Sequence, residues 1–390
     1  MRTIKGYKRP DGRFGIRNTV IVISLVQCAN STVQKIALQC DAPAITIDTG
    51  CGEYKDNAER TNLGLIRAGG HPNVYGVLLV TLGCQWISAD YIRDEIIKFA
   101  PGKKVHHVCI QQIGGMKKAV DEGVRLVKEM QAEALAQPRE DCPISGLVVS
   151  SYCGGSDWTS ALAGNTTTGA AADLVVRAGG SNLACGVRGM PGAEDYVIGL
   201  AKDYDVGLQI LEICEEYRHD VLNATGQSIS EVNPTPGNIA GGITTLAEKA
   251  VSNMKLQGHE TVQGVVQVGE YPPYPGNWFM DNRMGGNDIY AATALSMGGA
   301  HLDLFCTGLG TPLGHAVMPV IKITGNPETN RKYGAEMIDF SAGEVITGEK
   351  TIDQCAEELF DLILRVANGE PTKGELNQDY SYAIPPFGKF

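Results

Sequence analysis

Apolar residues arrive first in short unbroken runs and then at helical spacing. Residues 19–27 (TVIVISLVQ), 44–48 (AITID), 76–82 (GVLLVTL), 104–111 and 146–152 (GLVVSSY) read as strands. Between them a helix begins near Asn30, and others cover 56–68, 88–99 and 115–136. Strands that are apolar throughout are covered on both faces, and their alternation with helices predicts a parallel sheet. Further along, helices are predicted near 204–223 and 241–257 and over 351–367, with strands at 262–268, 301–306 and 317–324. The predicted class is α/β: Rossmann-like parallel sheet layers with helices on both faces, in two α/β portions. Residues 137–143 hold two prolines and several charges that break both periodicities, so they read as a linker. The domains expected are 1–137 and 138–390. Residues 270–288, rich in Pro, Gly and aromatics, read as a long ordered loop of the kind that carries function.

Charge narrows the partners. The net charge of −11 and the absence of a basic block argue against nucleic acid, but a local cationic pocket can still take an anionic small molecule. No apolar run approaches the ~20 residues that span a bilayer, and the N-terminal stretch lacks a signal peptide's apolar core. The compartment expected is the cytoplasm, with no membrane partner, and the eleven cysteines are expected to be thiols.

Four of those thiols, Cys28, Cys51, Cys84 and Cys153, follow predicted strands. Ligands of open parallel sheets bind outside the carboxyl ends of the strands. Thiolates there suit iron, an iron–sulfur cluster or zinc, although buried cysteine also serves as a small hydrophobe. In Cys-Gly-Gly-Ser-Asp (153–157), Gly154 and Gly155 allow close backbone approach, and Ser156 and Asp157 stand at a strand-to-helix turn suited to an anion. A plain helix cap by Ser156 or Asp157 is the alternative. In residues 233–249, Asn238, Gly241, Gly242, Thr244 and Thr245 precede Lys249, a second candidate for holding a carboxylate or placing a base; a capped irregular loop is the alternative. Residues 306–315 offer Thr307, Thr311 and His315 after another strand. Near the N-terminus, Arg13 and Arg17 can clamp a carboxylate or simply decorate a surface turn. No complete dinucleotide fingerprint, Walker loop, nucleophile elbow or HExxH motif is present.

Together these motifs resemble the altronate/galactarate dehydratase family, specifically its large catalytic domain. The resemblance rests on GYKRPDGRFGIRN, QCAN, TGCG, HPNVYGVLLVTLGC, the IQQ at 110–112, CGGSD, NPTPGNIAGGITTLAEK, the GND at 286–288, TGLGTP and ANGEPT, and it covers nearly the whole chain. It implies a cytoplasmic carbon–oxygen lyase of sugar-acid catabolism that gives a 2-keto-3-deoxy acid. A divalent metal is implied too, typically Fe2+, and the cysteines that resemble the sugar-acid dehydratases are Cys28, Cys51, Cys84 and Cys153; with thiolate ligands an iron–sulfur cluster with one open iron is the other form expected. The large subunit of sulfolactate sulfo-lyase, which expels sulfite, belongs to the same family, and PGNWFMD at 275–281 is similar to that branch. The family's small SAF-type domain is expected as a separate subunit, and the protein as an oligomer. Lys249 or Asp157 is the proton-transfer group expected; the loops 153–157 and 237–249 are expected to bind the carboxylate. Gly186, Arg188 and Gly189 stand where acidic residues are expected in sugar-acid dehydratases. Arg188 has only donors, so it predicts a second anionic group on the substrate. A sulfo-lyase and a non-catalytic hydroxy-acid-binding subunit remain the alternative readings.

Overall fold

The computed structural model describes residues 3–283 and 287–385. Strands β1 (Thr3–Lys8) and β2 (Phe14–Gly15) form an antiparallel pair that leads into the first sheet. That sheet is parallel and contains β3 (Thr19–Ser24), β4 (Ala44–Ile45), β5 (Val74–Thr81) and β6 (Lys104–Cys109), in spatial order β4-β3-β5-β6. Its unbroken apolar runs have a simple cause. Val20, Val22, Leu78 and Val80 point into one core and Ile21, Ile23, Val77 and Leu79 into the other. Each such side chain stabilises the fold by about 1.5–3 kcal/mol relative to exposure.

The expected linker is instead partly a strand. β7 (Glu140–Pro143) pairs antiparallel with β1, so the second portion is sewn back onto the N-terminus. Pro143 is tolerated because β7 lies at the sheet's edge and ends there. The second parallel sheet holds β8 (Val148–Cys153), β9 (Ser181–Cys185), β10 (Val262–Gln267), β11 (Asn277–Asp281), β12 (Leu302–Cys306), β13 (Val320–Thr324) and β14 (Phe340–Ser341). Their spatial order is β10-β11-β9-β8-β12-β13-β14. The expected long loop at 270–288 therefore contains an interior strand, β11, buried along its whole length. Gly286 of the Gly-Asn-Asp motif lies outside the described residues.

The two portions pack through buried polar side chains as well as apolar ones. Asn73 donates to the carbonyls of His301 and Val317, at 2.8 and 3.0 Å. His71 Nδ1 accepts from the Asn73 N–H, which leaves Nε2 to donate to the Ala300 carbonyl at 3.0 Å. Burial keeps this imidazole neutral by pushing its pKa well down. Among the described residues no helix is long and apolar enough to cross a membrane.

Candidate active site

From β8 the chain runs to β9 on one side, and later returns to β12 on the other. The sheet order thus reverses at β8/β12, and in open α/β sheets that crevice is where ligands bind. A cavity of about 600 Å3 lies there. Its lining includes Cys153, Gly154 and Gly155 after β8, Arg188 after β9, and Thr311 after β12. Asn238 and Lys249 come from the segment between β9 and β10, and Asp288 from the start of the helix Asp288–Met297.

The loops after β8 and β12 are zipped together by their backbones: Gly154 N–H donates to the Cys306 carbonyl at 3.1 Å, and Leu309 N–H to the Gly155 carbonyl at 2.9 Å. Gly155 has φ of +62°, which glycine adopts readily. A Cβ on Gly154 would stand 2.2 Å from Asp288 Oδ2, so the missing side chain is what lets that carboxylate sit against the loop. Asn238 joins the parts. Its Nδ2 donates to the Ser156 carbonyl at 2.9 Å, and its Oδ1 accepts from Lys249 Nζ at 2.8 Å.

Burial works in opposite directions on the two charged partners. It pulls the Lys249 ammonium below its usual pKa, with Cys153 and Asp288 opposing. It pushes the Asp288 carboxyl up, with Lys249 and Arg188 opposing. The Cys153 thiol is lowered, first by a hydrogen bond from Cys306 and also by Ser156, whose Oγ is 2.8 Å from Sγ. A lysine, a carboxyl and a thiol with displaced pKa values thus share one cavity, as groups that transfer protons commonly do.

Several predicted residues are placed elsewhere. Asp157 caps the helical segment that follows it: Oδ1 accepts from Thr159 N and Oγ1 at 3.0 and 2.6 Å and from Ser160 N at 3.1 Å, while Oδ2 accepts from Asn326 Nδ2 at 2.7 Å. It is buried and does not line the cavity. Asp157→Ala should lower the unfolding free energy by about 2–4 kcal/mol, the sum of a lost cap and buried unpaired donors. Asp157→Ser keeps a cap oxygen, so urea unfolding should show part of that loss recovered. Its turnover should stay within roughly tenfold of wild type, short of the ~10²–10⁴ that removing a proton-transfer group costs. A larger fall in a stably folded Asp157→Ser would return this carboxylate to the chemistry.

Thr245 caps the helix Leu246–Met254, and Glu248 closes the box by accepting from the N–H groups of Thr244 and Thr245. Gly241 receives Trp158 N–H on its carbonyl, and Gly242 packs against the Trp158 side chain. Thr307 is buried under Gly155 and accepts from Gly310 N–H. Arg17 is held by Glu375 at 2.6 and 2.9 Å and by the carbonyls of Ile16, Val366 and Glu370. Arg13 pairs with Asp11 and donates to the Phe99 carbonyl. His315 is buried beside Tyr382, with its pKa pulled down to about 3 by burial, and borders a different depression, shared with Arg17. The four cysteines also divide. Cys28, Cys51 and Cys84 are exposed in the first portion, while Cys153 is buried in the second. Among the described residues no three His, Cys, Asp or Glu side chains are grouped to hold a single metal ion.

The cavity also includes residues that the sequence reading did not assign: Asp288, Tyr152, Cys185, Asn253, Asp379 and Ser381. Only Asp288 carried a signal, since it follows Asn287 in the quoted Gly-Asn-Asp motif and Asn287 caps its helix.

Comparison with known proteins decides the family. Residues 144–388 match D-galactarate/altronate dehydratase, C-terminal, and residues 6–135 match D-galactarate dehydratase/altronate hydrolase, second domain. The chain belongs to the D-galactarate/altronate dehydratase family. Relatives within and around this family differ in name. The chain is 32% identical over 378 residues to the (2R)-sulfolactate sulfo-lyase subunit beta of Chromohalobacter salexigens, covering 96% of this chain and 95% of that one. It is 31% identical over 396 residues to altronate dehydratase of Bacillus subtilis, covering 98% of this chain and 77% of the relative. With galactarate dehydratase (L-threo-forming) of Escherichia coli it shares 30% identity over 305 residues, 77% of this chain and 57% of the relative.

Proposed function

We propose that this member of the family is a lyase that eliminates water from a small hydroxy acid to give a 2-keto-3-deoxy acid. The observation that carries the reading is the shared cavity of Lys249, Asp288 and Arg188, with burial moving the first two pKa values toward each other. Lys249 in its neutral form takes the proton from the carbon next to the substrate carboxylate. The carbon–hydrogen electron pair then forms the double bond as the neighbouring carbon–oxygen bond breaks. Asp288, whose carboxyl pKa burial raises, is the group that gives a proton to the departing hydroxyl, and water leaves. The enol that remains becomes the 2-keto acid. Arg188 holds negative charge on the substrate while this occurs. No step is assigned to a metal.

Expulsion of sulfite is the second reading. It is favoured by the sulfo-lyase relative that matches over almost its whole length, and that relative's name as a beta subunit supports a partner subunit for this chain. One screen separates the readings: the chain, with and without a small companion subunit, is given a panel of sugar acids and sulfolactate, and 2-keto acid and sulfite are measured. Failure of every substrate under all these conditions would favour a non-catalytic binding subunit.

Arg188 supplies the specificity test. Losing a charge-assisted hydrogen bond of about 1.5–3 kcal/mol weakens binding roughly ten- to a hundredfold. Arg188→Ala should raise KM by about that factor for a substrate with two anionic groups, and much less for a singly charged analogue. Equal effects on the two would remove Arg188 from the recognition of the second group.

A further inference from the structure

We propose that the depression beside the turn between β1 and β2 is a second ligand site, which takes a compact oxyanion of two or more negative charges between Arg9 and Lys103. It is a cavity of about 370 Å3, bordered by Lys8, Arg9 and Arg13 of the hairpin, by Pro72, and by Gly102 and Lys103. None of these residues lines the active cavity. The turn Arg9-Pro-Asp-Gly-Arg frames one side. Arg9 N–H donates to the Arg13 carbonyl at 2.9 Å, and Gly12 N–H to the Arg9 carbonyl at 3.0 Å, so the two arginines stand opposite each other across the hairpin. Pro10 packs so closely on the turn before β6 that a Cβ on Gly102 would lie 2.6 Å from its Cγ. The φ of Gly102, +83°, belongs to glycine as well.

On a chain of net charge −11, Lys8, Arg9, Arg13 and Lys103 border one depression, and their charges are unevenly offset. Lys8 pairs with Glu140 at 2.9 Å. Arg13 grips Asp11 through Nε and Nη2, at 2.8 and 2.5 Å. The partners of Arg9 and Lys103 are backbone carbonyls. Arg9 donates from Nε to Pro72 at 2.8 Å and from Nη2 to Arg17 at 3.2 Å. Lys103 Nζ donates to the carbonyls of His71, at 2.7 Å, and Val74. A carbonyl satisfies a donor but carries no formal charge, so these two cations lack the neutralisation that Lys8 and Arg13 have. Like charges that face each other across a hairpin destabilise it, and partly buried charges are costly until they are paired. The titration of both groups reflects this. Burial first, and then the charges of Arg9 and Arg13, push the Lys103 ammonium well below its usual pKa, with Asp11 opposing. Burial lowers Arg9 to about 10, again with Asp11 opposing. A bound anion favours the charged form of each and reverses those shifts. One of two or more charges offsets both cations, whereas a single carboxylate offsets one.

The site is tied to the seam between the two portions. Arg9 and Lys103 hold the carbonyls of Pro72 and His71, and the same turn carries the Asn73 amide that donates to His301 and Val317 of the second portion. An anion that orders Arg9 and Lys103 steadies the turn on which the second portion docks. It should therefore raise the unfolding temperature, as a ligand of the native state does by mass action.

The test is isothermal titration calorimetry of the full chain with inorganic pyrophosphate, at an ionic strength held constant with chloride. Citrate, run in parallel, tells a polycarboxylate from a phosphate as the preferred ligand, and acetate is the singly charged control. Wild type should bind at least one of the two polyanions, and acetate roughly tenfold or more weakly. Lys103→Met keeps the apolar stem and removes the charge. It should weaken the polyanion about ten- to a hundredfold, the loss of one charge-assisted hydrogen bond. Arg188→Ala, which removes a cation from the active cavity, should leave that affinity unchanged. Amide hydrogen exchange of wild type needs no variant to fold: the polyanion should slow exchange in peptides covering 9–13, 71–75 and 100–104. No binding of either polyanion, equal binding of acetate, undiminished binding in a folded Lys103→Met, loss of binding in Arg188→Ala, or protection confined to peptides around Arg188 would overturn the proposal. These readouts do not depend on turnover, so their failure leaves the Lys249 reading of the active cavity standing.

Discussion

Lys249→Gln should lower turnover by roughly 10²–10⁴, the range that a positioned proton-transfer group supplies. Glutamine keeps a side chain of similar reach and can still donate to Asn238 Oδ1, the partner that holds Nζ at 2.8 Å. It cannot take up a proton from carbon at neutral pH, so the loss falls on chemistry and not on packing. The pH dependence has a definite sign. The neutral amine is the base, so the rate rises with pH as the ammonium deprotonates. Burial lowers that transition, so the midpoint of the rise should lie below the usual lysine value of 10.5. Exchange of the substrate's α-proton in heavy water isolates the step. It should fall in Lys249→Gln together with elimination. Exchange that continues at the wild-type rate while elimination stops would assign the base to another group.

The parts of the fold legible in sequence are those where burial alone decides the residue. β3 over residues 20–23 and β5 over residues 77–80 are apolar without a break because both faces of their sheet are covered. β9 and β11 are equally buried, yet they carry Ser181, Asn182, Asn277 and Asp281. Their polar side chains are satisfied by partners elsewhere in the chain or nearby: Asn182 Nδ2 donates to Asn277 Oδ1 at 3.0 Å, Ser151 Oγ of β8 to Asn182 Oδ1 at 3.2 Å, Gly276 N–H to Ser181 Oγ at 3.3 Å, and Arg283 to Asp281. Such pairing between strands far apart in sequence looks hydrophilic along the chain, so these two strands were hidden. The same ambiguity runs through the site. Asp157 and Thr245 have the chemistry of ligand-binding groups, but it is the chemistry of a helix cap as well, and backbone N–H groups claimed them. Arg17 has the fork that grips a carboxylate, and the carboxylate it grips is Glu375. Gly154 and Gly155 were legible because a backbone that must approach something closely excludes a side chain. What Gly154 approaches, Asp288, was not, since only the fold brings them together.

That contact makes Gly154→Ala a sharp test of Asp288. The added Cβ would lie 2.2 and 2.5 Å from the two carboxylate oxygens, well inside ordinary van der Waals contact. Asp288 opens the helix Asp288–Met297, whose backbone is anchored by the Asn287 cap, so the side chain must rotate away while the helix stays. Moving a reacting group by about 1 Å can cost ~10² in rate, and loss of the group itself up to ~10⁴. Turnover should therefore fall about 10²–10³-fold in a protein that still folds. A second consequence separates this from a general disturbance. Burial is what raises the Asp288 pKa, and a carboxyl turned toward water loses that rise. Since the protonated form is the acid, the residual activity should decline with increasing pH at lower pH than in wild type. Gly169→Ala gives the contrast, because its Cβ would meet the Lys255 backbone oxygen at 2.0 Å and no side chain can swing clear. That variant should lose stability, whereas Gly154→Ala should lose turnover and shift its alkaline limb. Wild-type turnover and an unmoved pH profile in Gly154→Ala would mean that Asp288 carries no proton in the reaction.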